Sequence, residues 1–395
     1  MSARRPPPAA ENTQQGIRRR NLSLVLRTVA DHGPLSRAAV AGRIGLTRAA
    51  VSSLVDELIR AGLLTELGLE QSGAVGRPGS ALSPSDRGPC GIGAEVGMDR
   101  LAAIAVDLRG DVRARVTTEV DNRSRPAEAV LAELAALIDR VSGDARAEGL
   151  RPAGVAVAVP GLIARDTRTV VRAPNLGWRD VDLGAHLPYG SALTVDNEAN
   201  AGALAELWLS GVTGDFVHVS AETGIGAAVV VEGRLLRGTH GFAGELGHVP
   251  VWPDGPKCAC GGRGCLEQYA GEEALSRAAG LTAQGRPAAL LRTLADAGDP
   301  AARRALRAAG TALGIALAGA VNLLDPRAVV LGGTLTGLAP WLLPSLEREL
   351  TRRTARDGRP VLTVSRLGTE GPLLGAAHSV VRAVLDDPAG HGGGG

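Results

Sequence analysis

GHVPVWPDGPKCACGGRGCLE, residues 247–267, is the stretch whose reading decides the fold. It holds three of the four cysteines, as Cys258-x-Cys260-x4-Cys265, with His248 ten positions before the first. Three thiolates and one imidazole complete a tetrahedral Zn²⁺ shell, with Zn–S bonds of about 2.3 Å. Gly255, Gly261, Gly262 and Gly264 let the backbone fold tightly enough to bring these donors together. The plain alternatives are buried free thiols or a disulfide. Four protein ligands leave no open position, so the spacing predicts a structural zinc and not a catalytic one. Such a site would fix Glu245, His248 and Glu267 relative to one another.

Upstream, residues 1–87 carry twelve Arg against seven Asp or Glu, while the whole chain sums to only +2. A basic module is therefore attached to a mildly acidic remainder. Residues 1–16 are rich in Pro, Arg and polar side chains and are expected to be a disordered tail. Leu22, Val25, Leu26 and Val29 then recur at helical spacing up to the His32-Gly33-Pro34 break. Ser36 is placed to cap a short helix over 37–43, and Thr47 to cap a third, with Gly62 as its C′ residue. Val51, Leu54, Val55 and Leu58 share one face of that helix. Helix, short helix, glycine turn and helix predict a helix-turn-helix over 17–87, and its last helix is expected to enter a major groove of double-stranded DNA. Thr47, Arg48, Ala49, Ser52 and Ser53 form the candidate reading face; Arg48 could contact guanine or phosphate. The strands of a wing are expected at 63–70 and 71–82. Arg77 at its Gly-Arg-Pro-Gly tip is a candidate minor-groove residue, although a solvent-exposed turn explains it as well. A small helical packing domain is the competing explanation of the segment.

Beyond the Pro/Gly/Ser-rich GRPGSALSPSDRGP the periodicity changes. Strands are expected at 92–106, 112–120, 154–159, 193–196, 216–220, 227–231, 328–331 and 361–364. Helices are expected at 126–148, 199–209, 268–279, 301–324, 339–353 and 372–385. This alternation predicts α/β layers, with residues 386–395 as a flexible tail. No run of 18 or more apolar residues occurs, so no membrane span is expected. The N-terminus lacks the apolar core of a secretory signal. Few cysteines at metal spacing fit a cytoplasmic protein. Four Trp, two Tyr and two Phe, widely scattered, exclude a stacking platform for single-stranded nucleic acid.

GVAVAVPGLI (154–163), RAPNLGW, VDNEANAGALAE, TGIGAAVVVEGRLLRG, HGFAGELGHVPVWPDG and CACGGRGCLEQY stand in the order seen in ROK proteins, bacterial sugar kinases and sugar-responsive repressors. The resemblance covers about residues 20–385, because the repressor branch also begins with a winged helix-turn-helix. It implies a two-lobed actin-like ATPase (ribonuclease H-like) sugar-kinase fold. The small α/β lobe would span 88–198, with the helix at 372–385. The large lobe, with zinc loop and sugar site, would span 199–371. It further implies that Asn197, Glu198, Glu245, His248 and Glu267 bind sugar hydroxyls, a task suited to carboxylates as acceptors and Asn as donor and acceptor. His248 would serve zinc through one ring nitrogen and sugar through the other.

Three departures separate the chain from the kinase branch. Where kinases carry Gly-Gly-Thr-Lys, this chain has Gly97-Met98-Asp99-Arg100. Met98 removes bare backbone, and Asp99 adds a carboxylate facing phosphate. The second phosphate loop reads Glu222-Thr223-Gly224 in place of Gly-Thr-Gly, and Glu198 replaces the catalytic Asp. A base displaced by about 1 Å can lose about a hundredfold in rate. The expectation is a sugar-responsive transcriptional regulator that does not bind ATP and is not an enzyme. A sugar or sugar phosphate would be its effector, a DNA operator its target and a homodimer its working form. The competing readings are a zinc-containing ATP-dependent sugar kinase with an appended DNA domain, and a DNA-binding protein whose sugar pocket is vestigial.

Overall fold

Residues 14–68, 80–165, 167–222, 224–281, 287–355 and 360–391 are described by a computed structural model. Leu22, Val25, Leu26 and Val29 are all buried on one side of helix α1 (Gln14–His32). Residues 14–16, expected in the disordered tail, form its first turn, and ion pairs from Arg18 to Glu57 and Arg19 to Asp387 tether that end. After strand β1 (Leu35–Ser36) comes α2 (Arg37–Ile44), capped by the Ser36 hydroxyl, which accepts from the Ala39 amide. Gly45 at φ +72° turns the chain into α3 (Arg48–Arg60), capped in the same way by Thr47. Val51, Leu54, Val55 and Leu58 are buried, and Gly62 takes positive φ after the helix. β2 (Leu64–Leu67) and β3 (Ala81–Pro84) pair antiparallel, with β1 on the other side of β3. β3 falls inside the stretch read as a linker, because Ala81 and Leu82 supply buried apolar surface to this unit. Arg77 and its glycine turn lie outside the described residues.

A five-stranded sheet follows, built from β4 (Gly88–Val96), β5 (Arg100–Asp107) and β6 (Val112–Glu119). Helix α4 (Ala127–Ala147) then leads into β7 (Leu150–Val159). The strand expected over 92–106 is a hairpin: Gly97 N–H donates to the Arg100 carbonyl, and Val96, Met98 and Leu101 are all buried, so apolar content did not mark the turn. A small sheet of β8 (Leu162–Ile163), β9 (Thr169–Ala173) and β10 (Trp178–Asp182) comes next, then α5 (Leu183–His186) and β11 (Leu193–Asn197). β11 completes the first sheet in the order β11-β7-β4-β5-β6.

The second five-stranded sheet begins after α6 (Glu198–Leu209), with β12 (Phe216–Ala221), β13 (Ile225–Val231) and β14 (Arg234–Leu235). Helices α7 (Glu267–Ala270) and α8 (Glu272–Ala278) replace the single helix expected there, because Gly271 is extended at φ −68°, ψ 157°. α9 (Pro287–Asp296), α10 (Pro300–Leu324), β15 (Ala328–Gly333), α11 (Leu335–Arg353) and β16 (Val361–Val364) complete this half. The sheet order is β14-β13-β12-β15-β16. α11 starts one turn before Pro340, where the buried Leu335 and Leu338 hold the chain helical. α10 is long and apolar enough to cross a bilayer, but it packs against α11 and 56% of its most apolar window is buried, as in a core helix. α12 (Gly371–Asp386) returns to the first sheet and packs on β4, β5, β7 and α6. Residues 388–391, read as flexible, form a last turn, α13 (Pro388–His391).

α12 also meets α1. Leu22, Val25, Leu26 and Val29 share one buried cluster with Ala377, Val381, Val384 and Leu385. Arg382–Asp31 at 2.8 Å, an Arg27–Asp386 pair and Ser23 Oγ donating to the Leu385 carbonyl at 2.9 Å lie along the same contact.

Candidate functional site

The segment Gly224-Ile225-Gly226, entering β13, is the spine on which the separate motifs converge. Any side chain at Gly224 would collide with Glu267 Oε2, and Ile225 N–H donates to that same oxygen at 3.3 Å. A side-chain carbon at Gly226 would sit 3.0 Å from Ala199 Cβ, next to Glu198. Gly247 packs directly on the Ile225 carbonyl, which places Glu245 and His248 on the same side. One bare strand end thus gathers residues from three motifs about 70 positions apart.

Asn197 caps α6: its Oδ1 accepts from Ala199 N–H at 2.7 Å and its Nδ2 donates to the Gly161 carbonyl at 2.8 Å. Half of its hydrogen-bonding capacity is therefore spent locally, and the remainder is available to a ligand. Asp196 beside it is bound by Arg237 Nη2 at 2.6 Å and by Asn200 Nδ2 at 2.8 Å. Glu198 opens α6 and is partly buried; desolvation and then the charge of Glu95 push its pKa up to about 7. Glu245 lies 3.8 Å from His248 Nε2, and burial raises its carboxyl pKa. Asn175, in RAPNLGW, approaches the same Gly224 position as Glu267 and was not singled out from sequence. Its position in a quoted motif was the available signal.

His248, Cys258, Cys260 and Cys265 offer donor atoms that all lie within 4.8 Å of one another. His248 Nδ1 is 3.6 Å from Cys258 Sγ, and Cys260 Sγ is 3.7 Å from Cys265 Sγ. Around a tetrahedral Zn²⁺ the S···S edge is about 3.8 Å and the N···S edge about 3.6 Å. The donor set fits a metal ion of this kind. Turning Nδ1 toward the thiols leaves Nε2 facing Glu245. Arg172 in β9 donates to the Ala259 carbonyl at 2.8 Å, tying this loop to the opposite lobe.

Around the Gly97–Arg100 turn, charged side chains bind one another. Arg100 Nη2 donates to Glu95 Oε1 and to the Thr369 carbonyl, each at 2.8 Å, and lies 3.6 Å from Glu222 Oε1. Burial opposes the guanidinium charge, but Glu95 and Glu222 more than offset this and raise its pKa. Burial, then Glu95 and Glu198, hold Glu222 well above the ordinary carboxylate range; Asp99 raises it further. Met98 does not face this space. Its side chain is buried in the core with residues of β4 and β5, so the space beside Arg100 is lined by Glu95 and Glu222 and not by Met98. Thr223 lies outside the described residues. The Gly332-Gly333 pair has a packing explanation: a Cβ at Gly332 would strike the buried His218 ring, and Gly333 at φ +57° abuts the Ala221 carbonyl.

On the DNA-reading candidate face, Thr47, Arg48, Ala49 and Ser53 are exposed and Ser52 is half-buried. Sequence reasoning missed Arg37. Its Nη1 donates to the Ser52 carbonyl at 3.2 Å and to Asp56 at 2.7 Å, and its Nη2 to Glu66 in β2 at 2.9 Å, which braces α3 against the small sheet.

A model of the ROK family matches residues 91–383, and one of the MarR family matches residues 21–77. A xylose repressor of Bacillus subtilis is 32% identical over 384 residues, covering 94% of this chain and 98% of the repressor. The crystal structure of a ROK family transcriptional regulator, a homologue of the Escherichia coli MLC protein, is 27% identical, with a TM-score of 0.78 and coverage of 94% and 97%. A ROK family glucokinase from Streptomyces griseus, solved with glucose and AMPPNP, is 28% identical, with a TM-score of 0.65. It covers 73% of this chain and 98% of its own.

Proposed function

Because the chain belongs to the ROK family, we propose that it is a sugar-responsive, DNA-binding transcriptional repressor whose actin-like module senses an effector and does not phosphorylate it. One observation carries this reading. Residues assigned here to the sugar hydroxyls lie around Gly224–Gly226, whereas beside them Arg100, Glu95 and Glu222 bind one another where a triphosphate would have to lie. Arg100, the one cation of that cluster, is already committed to Glu95 and the Thr369 carbonyl.

Asn197, Glu198, Glu245, His248 and Glu267 are the proposed sugar contacts. Zn²⁺ is the metal proposed for His248, Cys258, Cys260 and Cys265; when bound it closes the loop and fixes the imidazole through Nδ1. The remaining ring nitrogen then faces Glu245 and the cleft. Thr47, Arg48, Ala49, Ser52 and Ser53, with Arg77, would contact a double-stranded operator. A homodimer would place two such helices on half-sites one helical turn apart. A protein acting on the bacterial chromosome works in the cytoplasm. Relatives named as xylose repressors support a small carbohydrate as effector. A thermal-shift screen of sugars and sugar phosphates, followed by operator binding with each hit, tests the reading. A sugar that raises Tm and changes operator affinity supports it; a chain that binds an operator but answers no sugar overturns it.

A further inference from the structure

We propose that Arg100, held between Glu95 and Glu222, is the positioning residue through which occupancy of the sugar cleft reaches the DNA-reading unit. The inference rests on the sensor reading above and adds the route. Arg100 opens β5 in the first sheet, Glu222 sits in the turn between β12 and β13 of the second, and Thr369 lies two residues before α12. One guanidinium therefore touches both lobes and the root of the last long helix.

The cluster is incompletely hydrogen-bonded. Glu95 is 1% exposed and its Oε2 has no hydrogen-bond partner, and Glu222 Oε1 is likewise buried without one. Two carboxyl groups share one guanidinium, and Glu198 adjoins the same turn: its neighbour Ala199 packs on Gly226, four residues after Glu222. Glu198 lies on the cleft side, at the first position of α6. A sugar hydroxyl donating to Glu198, or displacing water beside it, alters the field in which Arg100 divides its bonds.

From there the path is solid packing. Gly375 of α12 lies against the Ala201 carbonyl of α6 so closely that no side chain fits, and Gly371 adjoins Gly202. Arg115 pairs with Glu370, at the start of α12. The far half of α12 shares its buried surface with α1 and is pinned to it by Arg382–Asp31, Arg27–Asp386 and Arg19–Asp387. α1 in turn packs on α3, the reading helix. Packed interfaces have discrete arrangements and transmit small displacements.

The test measures operator Kd with and without saturating sugar for the full-length protein, Arg100→Ala and Glu222→Gln. Glu222→Gln keeps the side-chain size and the Arg100–Glu95 pair, so it guards against misfolding of the first variant. Coupling between two sites typically amounts to about 5- to 150-fold. The wild-type ratio is expected in that range and should collapse toward one in both variants, with sugar Kd and sugar-free operator Kd each kept within about threefold. Merely structural damage would move the separate affinities, not their ratio. An unchanged ratio in the variants overturns the relay while leaving the sensor reading intact. Loss of sugar binding in both variants also overturns it, because the cluster would then belong to the pocket. A wild-type ratio of one removes the sensor reading and the relay with it.

Discussion

Gly224→Ala gives the sharpest test of how the sugar cleft is assembled. The new methyl group would lie far inside ordinary contact distance of Glu267 Oε2. That atom is the far end of a flexible side chain, so Glu267 can swing away, by about 1 Å, to restore contact distance. The backbone at Gly224 is not among the positive-φ glycines, so alanine adds no conformational strain. Global stability should therefore change by less than about 1 kcal/mol. The displaced carboxylate leaves Ile225 N–H and, in the complex, the sugar hydroxyl it accepts from. Hydrogen bonds to charged groups contribute about 1.5–3 kcal/mol, which corresponds to about 10- to 150-fold weaker sugar binding. Calorimetric titration with the best hit from the sugar screen, beside a thermal melt, measures both quantities. Sugar affinity equal to wild type in a variant of normal stability would refute the assignment of Glu267 to the cleft.

Cys260→Ser removes one of the four metal donors and should lower zinc content and Tm together, with sugar response weakened through His248; metal analysis and a melt read this, and full stability without zinc would refute the structural role. Arg48→Ala should weaken operator binding by about 1–3 kcal/mol and relax specificity at one base if the side chain reads the groove, whereas a phosphate contact would instead reduce the salt slope by about one. Fluorescence anisotropy across a salt series separates the two, and unchanged affinity takes Arg48 off the reading face. Burial, and then the charge of Glu95, push the Glu198 carboxyl up to about 7, against about 4.3 for a free glutamate. The folded state therefore binds the extra proton between these values, and stability from this group falls as pH rises through that window. Glu198→Gln should accordingly gain Tm over wild type at pH 8 relative to pH 5, and a pH-independent difference would contradict the shift.

Local rules made much of this molecule legible. Ser36 and Thr47 cap their helices, and Val51, Leu54, Val55 and Leu58 face inward as their spacing requires. The Cys258-x-Cys260-x4-Cys265 spacing brings four donors together because a short glycine-rich loop has few ways to close. What escaped sequence reading depends on long-range packing. The turn at Gly97–Asp99 is hidden because Val96, Met98 and Leu101 continue the apolar pattern through it, with only Asp99 and Arg100 interrupting. The helix over 268–279 breaks at Gly271, which turns extended and starts a new helix with Glu272 and Glu273 in its first turn. The direction of the Met98 side chain is not legible locally, because one residue in a tight turn can point to either side and only the core with β4 decides it. Arg100 stands where kinases carry lysine, but its contacts with Glu95, Glu222 and the Thr369 carbonyl join residues 5, 122 and 269 positions away, which no periodicity reveals.

Titration calorimetry of the full-length protein with Mg²⁺–AMPPNP, with and without saturating sugar, tests the central claim most directly. The account predicts saturable heat for the sugar and none for the nucleotide up to about 1 mM, since Arg100 and its carboxylates already fill the space. Saturable nucleotide binding below that concentration, strengthened by sugar, would contradict it and return the module to the kinases.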